Sequence, residues 1–520
     1  MVNLPTSPVP GPVPTPSARI RGRGRRTRRA GAWLILLLLS LVLSCGRRDV
    51  TLILLHTNDI HSWFAPREGR IGDQEVALGG APVLAGLIRQ YRLENPGNTL
   101  YLDAGDLFTG TPISSMTEGL ACVEVMNLLA PDAFAIGNHE FDHGMEAQRK
   151  ALDRATFPVL QANVRMAGHA GPYAQADMLV NRGGLQIAIL GLNSDALEEL
   201  VDPAKLKHSV KVDSSQAVAR KWLERVARTD LKICLSHRGF ASDSLLALAV
   251  PGFDLIVGGH SHTELRAPVR VGATWIVQAG DQGRFLGVDT LVVREGQGIT
   301  SLRGGLLPVV EGAAEPAQDV AALVAAQESR VNTQLGAQVA TLTADWRRES
   351  RGESNIGNWI CAALRREAGA QVGFCNSGGI RKDLAAGPVT LRDLWEISPF
   401  GNQVLVVPLS GARIRQIFQD ELRQGGLHLQ FDGLRVGAGE AGAPGAVLVD
   451  GKPMTEEGRY RVAMSDYVWG QLRQPADSLL TPASTGRLDR DMLIDRARAE
   501  REITPVLDGR WGPGRARGKP

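Results

Sequence analysis

Residues 133–144 read "AFAIGNHEFDHG". A short apolar run stops at a glycine, and Asn138, His139, Glu140, Asp142 and His143 follow within six positions. The run has the character of a buried strand. Charge gathered at the end of such a strand costs desolvation and mutual repulsion unless something compensates it. The stretch therefore predicts a strand whose C-terminal end opens onto a functional site.

Outward from this point the same ending recurs. "VTLILLHTND" (50–59), "NTLYLDAGD" (98–106), "LQIAILGLN" (185–193), "LKICLSH" (231–237), "FDLIVGGHSH" (253–262) and "TWIVQAGD" (274–281) are apolar runs closed by Gly, Asn, Asp or His. Helical stretches such as "GGAPVLAGLIRQYRLEN" (79–95) and "SSQAVARKWLERVAR" (214–228) lie between them. This alternation predicts an α/β domain over 46–310, with ligand chemistry at the strand C-terminal ends. The Ala-rich segment 311–340 reads as a connecting helix. From 341 to 510, strand–turn signals such as "QVGFCNSGGI" alternate with helices such as "NIGNWICAALRREAG", and a second α/β or α+β domain is expected.

Bulk properties agree. A chain of 520 residues exceeds what one core usually holds. Seven arginines and no acid occupy residues 1–44; removing those charges turns the net +3 into −4 for the rest. A basic surface for nucleic acid is thereby excluded. After the arginines comes "AWLILLLLSLVLSC" (32–45), short for a membrane span and laid out like a signal-peptide core. Its end, Ser44 before Cys45, resembles the lipobox of bacterial lipoproteins. Residues 1–45 are thus expected to be a signal peptide, with a lipid on Cys45 anchoring an exported protein to the cell envelope.

Asp59 and His61, Asp106, Asn138 and His139, His237, and His260 and His262 collect at the strand ends. Five of the chain's ten histidines are in this set. Residues two apart on a strand point the same way, which is how the D-x-H and H-x-H spacings are read here. Mixed oxygen and nitrogen donors suit a pair of divalent cations, Zn, Mn or Fe rather than Ca.

The order D-x-H, G-D, G-N-H-E, isolated H, G-H-x-H resembles the calcineurin-like metallophosphoesterases. "HTNDIH" and "IGNHEFDHG" are similar to the 5′-nucleotidase/UDP-sugar hydrolase branch. The resemblance implies an N-terminal four-layer αββα sandwich and a C-terminal nucleotidase domain. It implies that Asp59, His61, Asp106 and His262 hold one metal, and Asp106, Asn138, His237 and His260 the other. It makes His139 the catalytic histidine, oriented by Asp142, in an attack on phosphorus by a metal-activated hydroxide; Glu140 and His143 receive no role. In the C-terminal half, "NSGGIR" and "ISPFGNQVLVVPLSG" resemble the family's nucleoside pocket. Asn376, Arg381 and Phe400 match its residues, and Arg351 is the nearest match for an upstream arginine. Tyr467 stands for the second aromatic, with Trp469 as an alternative. The Gly-Gly-Asp-Gly loop that holds ribose in the family has no counterpart in "AMSDYVWGQLRQPAD".

The expected function is an exported two-metal phosphoesterase acting on nucleotides or nucleotide sugars. The alternatives are a related enzyme for cyclic-nucleotide or non-nucleotide esters, and a non-enzymatic surface binding protein. No C-x-x-C spacing occurs, so cysteine metal sites are not expected. Cys122 and Cys234 read as buried thiols. Cys361 and Cys375, on a helix and strand expected to pack together, form either a disulfide or two further buried thiols.

Overall fold

The computed structural model describes residues 48–512 apart from 72–73, 170, 202–204, 207–209 and 440–442. The expected signal segment and Cys45 lie outside the described residues. Among those residues no helix is long and apolar enough to cross a membrane.

All seven expected strands form, and they divide between two six-stranded sheets. The first runs in the order Gly298–Pro308, Phe285–Arg294, Asp49–Thr57, Thr99–Asp103, Ala133–Ala135, Val159–Leu160. The second runs Val269–Val271, Thr274–Val277, Leu255–Gly258, Leu231–His237, Leu185–Asn193, Asp177–Arg182. Within each sheet the four strands on the polar-ending side run parallel.

The period of two in each strand sorts its side chains into layers. Val50, Leu52 and Leu54 face Ile187, Ile233, Leu235 and Val257 between the sheets. Leu55 and its neighbour Ile53 turn the other way, onto helices Ala81–Glu94 and Leu120–Leu129. On the far side, Leu190, Cys234 and Ile256 pack under helices Ser215–Arg225 and Phe240–Ala249 through Trp222 and Leu246. The result is the four-layer αββα sandwich. Strands covered on both faces must be apolar on both, which is why they read as continuous runs.

The sheets are stitched at the ends that carry the polar residues. His237 Nδ1, on the second sheet, donates to Ala104 O beyond the first at 2.7 Å. Asn193 Nδ2 donates to Ile136 O at 2.8 Å.

Within segment 311–340 the helix is Gln318–Leu335. Its Val320, Val324, Val331 and Leu335 belong to the same core as helices Ala81–Glu94 and Leu120–Leu129, and Asp319 pairs with Arg89 at 2.8 Å. It is docked on the sandwich along its length.

Beyond it, a mixed sheet runs Leu429–Asp432, Val372–Asn376, Arg459–Ser465, Gln403–Ser410, Ala483–Leu488. Helix Asn355–Glu367 covers one face, Ile360 and Leu364 meeting Val404 and Ala463. Helix Gly411–Arg423 covers the other, Ile414 and Phe418 meeting Val407 and Val462. Ser354 caps the first helix, its hydroxyl accepting from Gly357 N. This half is α+β, with one parallel pair, Val372–Asn376 beside Arg459–Ser465, in its main sheet.

Candidate metal centre

The D-x-H and H-x-H residues are not on strands. The strand before Asp59 ends at Thr57 and the one before His260 ends at Gly258. Strand alternation, the reading given to those spacings, is therefore corrected. Asp59, His61, Asp106, His260 and His262 all adopt φ between 51° and 72°. That left-handed conformation is uncommon for non-glycine residues and tends to mark functional sites. The loops hold it by zipping together: Asp59 N donates to Gly105 O, His61 N to Asp106 O and Ser62 N to Leu107 O, at 2.8–2.9 Å. Gly137 is required for a different reason. A Cβ there would stand 2.1 Å from Asp106 Oδ1.

The side chains converge in three overlapping groups whose ligand atoms lie within 4.8 Å of one another. They are Asp59–His61–His262, His61–Asp106–His139 and Asp106–His237–His260. Asn138 joins the third, its Oδ1 2.9 Å from His260 Nδ1. All seven expected metal ligands are thus brought together.

The far nitrogen of three imidazoles is already committed. His61 Nδ1 donates to Thr109 O (2.8 Å) and His237 Nδ1 to Ala104 O (2.7 Å), while His262 Nδ1 faces Asp281 Oδ2 at 3.3 Å. This leaves Nε2 of each pointing inward, the usual second support of a metal-binding histidine. His61 Nε2 and His262 Nε2 meet at 3.1 Å. Buried His237 Nε2 lies 2.9 Å from Asp106 Oδ2 without the alignment of a hydrogen bond. Nitrogen and oxygen lone pairs aimed at shared points fit divalent cations.

Electrostatics agree. Burial lowers His61 to about 3 and, with protonated His237 beside it, His260 to about 4, so both stay neutral. Burial acts on His237 and His262 too, but Asp106 lifts the first to about 10, and Asp281 with Asp59 lifts the second to about 9. Without cations, protons occupy the places where positive charge is needed.

His139 stands at the cavity edge of the cluster. Its Nδ1 is 2.7 Å from Asp142 Oδ2, and its Nε2 is 3.9 Å from Asp106 Oδ2. Burial opposes its protonation, but Asp142 and Asp106 prevail and raise its pKa. Glu140, fully buried, accepts from the backbone N–H groups of Asp106, Leu107, Phe108 and Gly137 at 2.6–3.1 Å. It fixes the two ligand loops to each other. His143 turns away, to Ser114 Oγ at 3.1 Å.

A cavity of about 260 Å³ connects this centre to the C-terminal half. Asn376, Arg381, Phe400 and Tyr467 line it opposite Asp106 and His139. Phe400 stacks on His139, ring centroids 5.7 Å apart and planes at 25°. Arg381 Cζ is 5.8 Å from the Phe400 ring. Two expectations are corrected. Arg351 does not line the cavity but is exposed, its stem beside Gly426. Trp469 is buried in the core behind Tyr467. Sequence reading missed Glu140, Asp281, Lys205 and Asn402, the last two of which line the cavity. It also missed Arg490, whose guanidinium lies 3.6 Å from the Trp395 ring centre and whose Nη1 donates to Pro399 O at 3.4 Å, bracing the loop of Phe400. Of these only Glu140 and Asp281 carried a signal, as acids closing apolar runs.

The profile of the calcineurin-like phosphoesterase family matches residues 52–264, and that of the 5′-nucleotidase C-terminal domain matches 334–473. The chain is a metallophosphoesterase of the 5′-nucleotidase family. Metallophosphoesterases of this kind are metal-dependent phosphoric ester hydrolases, and the present one is such an enzyme. It is 26% identical to protein UshA of Yersinia enterocolitica over 503 residues, 86% of this chain and 90% of that protein. It is 29% identical to the 5′-nucleotidase of Mus musculus over 438 residues, 73% of this chain and 75% of that one. The crystal structure of the 5′-nucleotidase precursor of Thermus thermophilus superposes with a TM-score of 0.81 at 27% identity, covering 89% of this chain and 99% of that chain.

Proposed function

We propose that this metallophosphoesterase hydrolyses the phosphate ester of 5′-nucleotides or the phosphoanhydride of nucleotide sugars, using a pair of divalent cations. Asp59, His61, Asp106 and His262 would hold one cation; Asp106, Asn138, His237 and His260 would hold the other; Zn, Mn and Fe all suit the donors. The observation that carries this reading is Asp106, shared by two clusters in which His61 and His237 are each held at the far nitrogen by a backbone carbonyl. Held by these residues, divalent cations would supply Lewis acidity to a water nucleophile and neutralise phosphoryl charge.

The chain's own residues do the rest. Asp106 would serve both positions, and Asn138 presents its amide oxygen beside His260. Asp142 keeps the Nδ1 proton of His139 in place, so Nε2 faces the cavity to hydrogen-bond the phosphoryl group or protonate the leaving oxygen. Arg381, half-buried and donating to Gly378 O, would offer positive charge to the substrate. Phe400 and Tyr467 supply faces on which a base stacks. Export through residues 1–45 and a lipid on Cys45 complete the proposal.

Two measurements test it. Adding Mn²⁺ to metal-free enzyme at pH 7 must release protons, because His237 and His262 lie raised at about 10 and about 9 and must give theirs up to bind metal. It follows that cation affinity climbs as pH rises. Binding without proton release would refute the ligand assignment. Hydrolysis of AMP and an aryl phosphate, read as phosphate release, and of UDP-glucose and a cyclic nucleotide, read as the nucleoside monophosphate formed, tests the substrate class, and AMP or UDP-glucose is expected to lead. A second reading, a non-nucleotide ester, draws on the cavity's acids. Among the described lining residues these are Asp106 and Asp142, both engaged at the centre, so no carboxylate is left for a ribose diol. Turnover of the aryl phosphate alone would establish that reading instead.

A further inference from the structure

Helix Asn355–Glu367 lies very close to strand Val372–Asn376. A Cβ on Gly373 would stand 2.2 Å from Cys361 O, so only glycine allows this approach. The approach brings Cys361 Sγ to 3.1 Å from Cys375 Sγ. Both are free thiols here. A disulfide needs a separation of about 2.0 Å, so closing it takes a shift of about 1 Å shared between two side chains. Cys122 and Cys234 sit fully buried in two other cores, far from any such pairing.

The two thiols differ in access. Cys361 is fully buried, and burial pushes its thiol well above the usual range. Cys375 is half-buried and borders a small cavity that it shares with Asn376, Ser398, Phe400 and Asn402. A small reagent therefore meets Cys375 first, and Cys361 is placed to resolve what forms there.

We infer that Cys361 and Cys375 are a cross-linking site, closed by thiol–disulfide exchange with a small-molecule disulfide as oxidant. The Cys375 thiolate attacks one sulfur of the oxidant, which expels a thiolate and leaves a mixed disulfide on Cys375. The Cys361 thiolate attacks Cys375 Sγ, the Cys361–Cys375 bond forms, and the second small thiolate leaves. The protein loses two electrons and two protons, and the oxidant is reduced to two thiols.

The cross-link bears on catalysis through its neighbour. Cys375 immediately precedes Asn376, and Asn376–Arg381 forms one wall of the reaction cavity. A bond at Cys375 ties the root of that wall to a helix of the C-terminal core, so the loop loses freedom before substrate arrives. The substrate role of the loop rests on the proposed function; the cross-link itself does not.

The test uses the full-length, metal-loaded enzyme. Samples are treated with oxidised glutathione or with dithiothreitol, denatured, alkylated without further reduction, and digested. The oxidised sample should yield a Cys361–Cys375 linked peptide pair with Cys122 and Cys234 alkylated. Its Tm should exceed that of the reduced sample by roughly 5 °C, and Cys375→Ser should abolish both differences. Alkylation of both Cys361 and Cys375 after oxidation, or a lasting glutathione adduct on Cys375, would overturn the cross-link. Comparing wild type with and without reductant removes any dependence on how the variant folds. The oxidised enzyme should also show a KM for AMP at least about twofold lower than the reduced one. A linked pair that leaves that KM unchanged would overturn the clamp on the loop. Thiol count and Tm need no substrate, so they hold whether or not nucleotides are hydrolysed.

Discussion

The two walls of the reaction cavity are built differently. On the sandwich side nearly every functional atom has a second constraint. His61, His237 and His262 are each fixed at the far nitrogen, Glu140 gathers four backbone donors, and five ligands sit in left-handed backbone. On the C-terminal side the groups are looser. Arg381 has one carbonyl contact at 3.3 Å, and Phe400 is held mainly by stacking and by Arg490 behind its loop. The first wall performs chemistry that requires fixed geometry, since small displacements there cost rate steeply. Under the proposed function the second wall would recognise what is attached to phosphate, and stacking tolerates variation. That proposal puts reaction type and substrate choice on separate parts of the chain.

Four variants test that division, the most damaging first. Asp106→Asn should remove nearly all turnover while the fold survives, because its carboxylate serves two clusters at once. Wild-type rates at full metal content would end that assignment. His139→Ala should keep its metal and lose roughly 10²–10⁴-fold in kcat, the usual worth of a general acid. Loss of metal by elemental analysis would move His139 into the ligand set, where its place beside His61 and Asp106 also admits it. Asp281→Asn should weaken cation binding about 10–100-fold and leave kcat near normal at saturating metal, as expected for a residue that steadies His262. An unchanged metal titration would mean the pair is ornamental. Phe400→Ala should raise KM for a nucleotide roughly 5- to 150-fold, from about 1–3 kcal/mol of stacking, and spare a small aryl phosphate. Equal losses on both substrates would show that Phe400 acts through His139, the ring it touches.

The sequence disclosed the first wall far better than the second. Seven strands, their polar ends and all seven candidate ligands were legible, because burial leaves a periodic trace and histidine is scarce elsewhere. How those ligands are aimed was not legible. D-x-H looks the same whether it lies on a strand or in a left-handed turn, and only the tertiary zipper between residues 59–62 and 105–107 decides between them. Asp281 and Glu140 showed as acids closing apolar runs, but their roles did not, since their partners are a ring 19 residues away and the backbone of another loop. On the second wall, the family resemblance suggested Arg351, with Trp469 as the alternative to Tyr467, yet one is solvent-exposed and the other is core. Loops transmit no period, so proximity in sequence is a poor guide to which residue reaches a cavity.

The left-handed ligand positions place stability and selection in opposition. Each is a site that backbone energetics would assign to glycine, with a cost of order 1–3 kcal/mol for a residue bearing a side chain. Asp59, His61, Asp106, His260 and His262 are therefore points where random substitution can ease the backbone only by discarding a donor atom. Drift toward a sturdier protein leads directly away from an active one, and a lineage released from the need to hydrolyse its substrate would be expected to lose its chemistry at these five turns before its strands changed at all.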